Sequence, residues 1–189
     1  MYRMMLRLLL CTAFLLSVPA VGDQYRNGDD NHWVLIDTER QMLQLFRGEE
    51  SVLSFRHVAL GRGGAAEDRV RGDNRTPTGE FRIGWINTNS RFHVFLGLDY
   101  PTFQHARRAY SAGRISLDEF LDVADAYRER RLPPQTTRLG GNIGIHGLGQ
   151  ADPDLHSRAN WTRGCVALRD EEIDKLLGYV GVGTRVVVR

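Results

Sequence analysis

Between His32 and Leu60 the chain is built from short apolar runs cut by polar turns, and that pattern dictates a sheet. His32 to Asp37, Gln41 to Phe46 and Ser51 to Leu60 are the runs; Thr38-Glu39-Arg40 and Arg47-Gly48-Glu49-Glu50 are the turns between them. Runs of this length bounded by such clusters read as strands of a β-meander. A chain of 189 residues has room for one domain with a real core and is too short for two ordinary ones.

The rest of the chain extends the pattern and then interrupts it. Gly61 to Asn74 is glycine-rich and lacks aliphatic periodicity, so it reads as a loop. Thr76-Pro77-Thr78-Gly79-Glu80-Phe81 follows as a rigid entry, with proline fixing φ, into a strand from Phe81 to Ile86. Phe92 to Leu98 is a further strand. After Tyr100-Pro101 the period changes to helical. Ser116 and Glu119 form a capping box, and Leu117, Phe120, Leu121, Ala124 and Tyr127 recur at helical spacing until Pro133-Pro134. A shorter helix, about Phe103 to Ser111, precedes it, giving a helical insert over about 101–132. Asn142 to His146 is a strand, Asp170 the expected N-cap of a helix bearing Ile173, Leu176, Leu177 and Val180, and Thr184 to Val188 a closing strand. The expected class is α+β, mainly β: an antiparallel, β-sandwich-like core with helices to one side. His32 and His57 fall within strand patterns and read as structural.

The N-terminus has the form of an export signal. Arg3 and Arg7 make a positive n-region, and Leu8 to Val18 is an apolar h-region broken only by Thr12 and Ser17. Small residues allow cleavage after Ala20 or Gly22. About a dozen apolar residues is too few for a permanent membrane span. Residues 1–22 are therefore expected to be a signal peptide, 23–31 a short polar lead, and 32–189 the folded domain of an exported protein, periplasmic or otherwise wall-associated, with no membrane anchor. Leu8-Leu9-Leu10 lacks the small residue that lipidation of Cys11 would want.

Cleavage removes Cys11 and leaves Cys165 as the one thiol. In an oxidising compartment a lone cysteine is a dimer bridge, an inert buried thiol or a nucleophile. Charge narrows the partners. Removing Arg3 and Arg7 with the leader brings the basic side chains level with the acids, which argues against a general role on nucleic acid or membrane surfaces.

Ile145-His146-Gly147 closes an apolar run, a polar loop follows, and Thr162-Arg163-Gly164-Cys165 comes next. Histidine and cysteine brought together form a pair for covalent acyl chemistry, thiolate as nucleophile and imidazole as base. With the Thr76–Phe81 segment and Val166, these stretches resemble the catalytic domain of the L,D-transpeptidases, the YkuD family. Its signature is a histidine, a loop, then Ser/Thr-His/Arg-Gly-Cys. The resemblance covers roughly 32–189. Two positions depart from it: Arg163 stands where many members have histidine, and Ala167 where the family often has an arginine, with Arg169 the nearest substitute.

The resemblance implies a reaction that needs no cofactor and no metal. Cys165 attacks the bond between the diamino acid and D-alanine in a peptidoglycan tetrapeptide stem, D-alanine leaves, and an amine acceptor resolves the thioester. His146 takes and returns the proton, and the Gly147 backbone carbonyl orients its ring. The Gly164 and Cys165 N–H groups are oxyanion donors. Thr162, Arg163, Arg169, His93 and Trp161 are substrate-side candidates; Arg163 can also lower the thiol pKa, and His156 shares the connecting loop. The partner is the stem peptide, or a wall-attached protein. Rival readings are a hydrolytic relative with water as acceptor (a carboxypeptidase or a wall-protein amidase), a zinc hydrolase on His146, His156 and Cys165, and a non-catalytic wall-binding module. The spacing of those three residues matches no recurrent zinc pattern.

Overall fold

The computed structural model describes residues 31–189; the expected signal peptide, its cleavage sites and all of the polar lead but Asn31 lie outside the described residues. The strands are β1 (His32–Asp37), β2 (Met42–Arg47), β3 (Glu50–Arg56), β4 (Ala65–Ala66), β5 (Thr76–Pro77), β6 (Gly79–Ser90), β7 (His93–Leu98), β8 (Gly144–His146), β9 (Val166–Ala167) and β10 (Arg185–Val188). The helices are α1 (Phe103–Ser111), α2 (Leu117–Arg128), α3 (Pro153–Arg158) and α4 (Asp170–Leu177). Among the described residues no helix is long and apolar enough to cross a membrane.

The fold is mainly β, as the strand patterns require, with one large sheet ordered β3-β2-β1-β10-β6-β7-β8-β9. Most neighbours are antiparallel, but β1–β10 and β8–β9 are parallel, so the sheet is mixed. The meander sets the register at one end: Val34 lies opposite Leu45 and Ile36 opposite Leu43, all fully buried. On β1, flanked by strands on both sides, Leu35 is buried as well, the run of consecutive apolar residues that an interior strand permits.

β6 joins the two ends of the sheet. Its first residues pair with β10; pairing with β7 begins at Ile83, opposite Leu98, and continues past an irregularity between Ile83 and Trp85. A bulge bends the strand that carries it. One hydrophobic cluster takes side chains from both ends: Ile36 and Leu43, Phe81 and Ile83, Leu96, Ile145, Val166 and Ile173.

The helical insert falls within the expected bounds. α2 begins on the capping box, with the Glu119 N–H donating to Ser116 Oγ and the Ser116 N–H to Glu119 Oε2. α1 buries His105, Ala106 and Ala109. The His105 ring ties the insert to the sheet: its Nε2–H donates to the Thr78 carbonyl at 3.1 Å, the Thr102 hydroxyl meets its Nδ1 at 2.7 Å, and its face stacks on Phe81.

Some boundaries move, each for a local reason. The strand expected to run to Leu60 ends at Arg56, because His57 takes φ +61°. Asn142, at φ +52°, keeps the strand before His146 to three residues. The N-cap of α4 is Arg169; Asp170 is its first helical residue, and its carboxylate reaches another loop. Helix α3, with Asp152 as its cap and proline first, has no counterpart in the sequence expectations.

Candidate active site

The segment containing Cys165 is held on both sides by backbone. On one side β9 runs parallel to β8, with Ile145 beside Val166 and His146 beside Ala167. On the other, Ala59 exchanges both hydrogen bonds with Ala167, the Thr162 N–H donates to the Leu60 carbonyl, and the Arg62 N–H to the Thr162 carbonyl. Continuing the β8–β9 register by one residue sets Cys165 next to Gly144, and the Gly144 N–H points at its sulfur. His146 and Cys165 thus stand on adjacent chains two residues out of step. Strand spacing and rise put such backbone positions roughly 8 Å apart, and strand alternation gives them a common face.

His146 is buried, 1% exposed, between aromatic rings. Phe92 stacks on it at 4.3 Å between centroids, Phe95 lies nearly parallel at 6.1 Å, and Trp161 meets it edge-on at 5.8 Å. Its Nδ1–H donates to the Gly147 carbonyl at 2.6 Å. With Nδ1 carrying the proton, Nε2 of the neutral ring is an acceptor. Burial pulls the imidazole pKa down to about 4, opposed by the bond to Gly147 and assisted by the Arg91 guanidinium, which stacks on Phe92 at 4.6 Å.

Cys165 is partly accessible, and its Sγ–H donates to the Asn142 carbonyl at 3.5 Å. Desolvation pushes the thiol up to about 11, against the Gly144 N–H and the Arg69 guanidinium, which favour the thiolate. Burial thus favours the uncharged form of each group, thiol and imidazole, over an ion pair. Asn142 is itself fixed: its N–H donates to Gln135 Oε1 at 2.6 Å, and Gln135 Nε2 donates to the carbonyls of Tyr100 and Pro133.

Thr162 organises the turn before the cysteine. Its buried hydroxyl donates to the Cys165 carbonyl at 2.7 Å and accepts the Gly164 N–H at 3.1 Å. These bonds bear on two residues named from the sequence. The Gly164 amide, expected at an oxyanion, is engaged by Thr162 in the resting chain, and the Thr162 side chain faces its own loop. Gly164 is required by conformation and space together: φ is +124°, and a Cβ would lie 2.7 Å from the Arg75 carbonyl oxygen.

The other candidates are dispersed. Arg163 is exposed on the turn. Arg169 is exposed at the α4 cap, where its N–H donates to Glu172 and its charge acts on His156. Trp161 reaches the site as the edge against His146, and its Nε1–H donates to Nδ1 of buried His156 at 3.4 Å. His93, exposed at the start of β7, pairs with Asp174 of α4 at 2.8 Å. Among the described residues no three His, Cys, Asp or Glu side chains are grouped to hold a metal.

Sequence reasoning did not reach four contributors. Phe92 and Phe95 looked like ordinary strand residues; Asn142 contributes only a carbonyl; Asp170 accepts the N–H groups of Leu148 and Gly149 at 2.6 and 3.0 Å, fixing the turn that bears the Gly147 carbonyl.

No curated protein is significantly similar to the chain. Among solved structures, the helical cell shape determining protein Pgp2 from Campylobacter jejuni superposes with a TM-score of 0.59 at 17% identity, over 87% of this chain and 49% of its own. Bd1075 from Bdellovibrio bacteriovorus gives 0.55 at 17% identity, over 86% and 50%. The chain thus spans about half the length of these structures, and the likeness is one of fold. The sequence profile of the L,D-transpeptidase catalytic domain, YkuD, matches residues 31–188, and the chain belongs to that family.

Proposed function

We propose that the chain is an exported peptidoglycan L,D-transpeptidase with Cys165 as nucleophile and His146 as general base. The observation that carries this reading is the 2.6 Å bond from His146 Nδ1–H to the Gly147 carbonyl, which leaves Nε2 a free acceptor on the strand beside the cysteine. A stem peptide carrying a diamino acid–D-alanine bond is the donor. As its carbonyl carbon approaches, the Cys165 proton passes to His146 Nε2 while the carbon–sulfur bond forms. Because burial disfavours a preformed thiolate, proton transfer to His146 accompanies the attack.

The tetrahedral oxyanion needs fixed N–H donors, worth on the order of 3 kcal/mol each. Cys165 N–H supplies one, and Gly164 N–H joins it by exchanging Thr162 for the oxyanion. His146 then protonates the departing amine of D-alanine, leaving a thioester on Cys165. An amine of a second stem attacks the thioester, His146 takes its proton, and the thiol is restored.

Intact-mass measurement with tetrapeptide muropeptides tests the reading. The expected result is a covalent adduct with release of D-alanine in the wild type and neither in Cys165→Ala. Absence of both from folded wild-type protein overturns it. Product analysis names the acceptor: a 3-3 cross-link indicates an amine, and a shortened tripeptide stem indicates water, the hydrolytic alternative.

A further inference from the structure

The loop between β4 and β5 contains a buried cation. The Arg69 side chain is 4% exposed, and its Nε and Nη1 have no hydrogen-bond partner. It is lodged beneath the nucleophile turn: a Cβ on Gly164 would lie 3.0 Å from Nη1, and one on Gly140 3.5 Å from Nη2. The charged group facing it is Asp73, with Nε 3.5 Å from Oδ1 but not aligned as a hydrogen bond. The Tyr100 ring covers its other side at 5.5 Å, and Asp68 and Arg108 act on that ring from farther out.

An Arg guanidinium does not lose its proton in proteins, so burying it with its N–H groups unpaired is unfavourable unless some charge is meant to meet it. Asp73 meets it in part. The site above it gains a negative charge only when Cys165 ionises or an oxyanion forms next to Gly164. Exposed Arg163 has its charge in water, where screening weakens it.

We propose that Arg69 is the positioning residue of the nucleophile: from under Gly164 it braces the 162–165 turn and supplies the fixed positive charge for the sulfur as it ionises. This rests on Cys165 being the nucleophile. The guanidinium's field on the thiol acts in the same direction. The residue two after the cysteine is Ala167, so no cation is contributed from that place.

The test is the pH dependence of Cys165 alkylation by iodoacetamide, read by intact mass, on folded wild type, Arg69→Met, Arg69→Lys and Arg163→Gln. Arg69→Met is expected to raise the apparent thiol pKa, with roughly tenfold slower alkylation near neutrality for each unit. Arg69→Lys should recover most of the rate, and Arg163→Gln should match wild type. A folded Arg69→Met with the wild-type profile overturns the proposal, as does a shift from Arg163→Gln alone. If Arg69→Met does not fold, Asp73→Asn removes the opposing charge and is expected to speed alkylation; an unchanged or slower rate overturns it. Alkylation requires no turnover. Failure of the wild type to release D-alanine would therefore count against the proposed function and leave the effect of Arg69 on the sulfur standing.

Discussion

Asp170 accepts the backbone N–H of Leu148 at 2.6 Å, so the helix that follows the cysteine fixes the turn that follows the histidine. The same oxygen takes the Gly149 N–H, and a Cβ on Gly147 would collide with it. Asp170 thereby holds the Gly147–Leu148 peptide whose carbonyl accepts from His146 Nδ1.

Asp170→Ala leaves two amides without their acceptor, which costs about 1–3 kcal/mol for each one that water does not reach. Thermal melts should show the loss, and D-alanine release from a tetrapeptide stem should fall at least about tenfold as the imidazole loses its alignment. Asp170→Asn keeps one acceptor oxygen and should fall between. A folded Asp170→Ala with the wild-type release rate would show that the turn holds without the carboxylate.

The Thr162 hydroxyl has two partners in the turn, the Gly164 N–H and the Cys165 carbonyl. Thr162→Val keeps the shape and removes both bonds, so a loss of about 1–3 kcal/mol is expected from buried groups left unsatisfied. Thr162→Ser retains the oxygen and should stay near wild type in melting temperature. If valine and serine melt together, the hydroxyl is not what holds the turn.

How much of this was legible follows from how local each signal is. The Ser116–Glu119 capping box was readable because a cap is a matter of neighbouring residues, and the bounds of α1 because the period changes just past Tyr100-Pro101. The pairing of His146 with Gly147 was readable for the same reason, once the family resemblance supplied the role. Helix α3 escaped because six residues are too few to show a period, although Asp152 and Pro153 are a start signal. Arg69 escaped because nothing near it in sequence says that the loop folds under Gly164. Asn142 acts through a backbone carbonyl, which any residue type could supply, so the identity of the side chain carried no clue.

Ser116 lies in the insert, away from the cysteine turn. Its replacement by alanine removes the oxygen that accepts the Glu119 N–H, for an expected loss of about 1 kcal/mol. The melting temperature should drop while the rate of Cys165 alkylation holds. A change in that rate would reveal coupling between insert and site.

Acid should unfold the chain through its buried histidines, and the sign can be worked out. Burial lowers both His105 and His146 from 6.5 to about 4. Between those values the unfolded chain holds protons that the folded chain does not, so stability rises with pH across the window and is lost as pH falls from about 6.5 toward 4. Each group removes on the order of 3 kcal/mol at the bottom of the range. Denaturant titrations at steps between pH 7 and pH 4 should show this slope, and His146→Gln, which cannot take up the proton, should reduce it to the part that His105 contributes. Phe92→Leu probes the cause. Leucine opens the stacked face of His146 to water, which relieves the desolvation, so the imidazole pKa should move up toward its ordinary value. The acid limb of the D-alanine release profile should move with it, to higher pH. A limb that stays in place in folded Phe92→Leu would mean that ring burial by Phe92 is not what depresses His146.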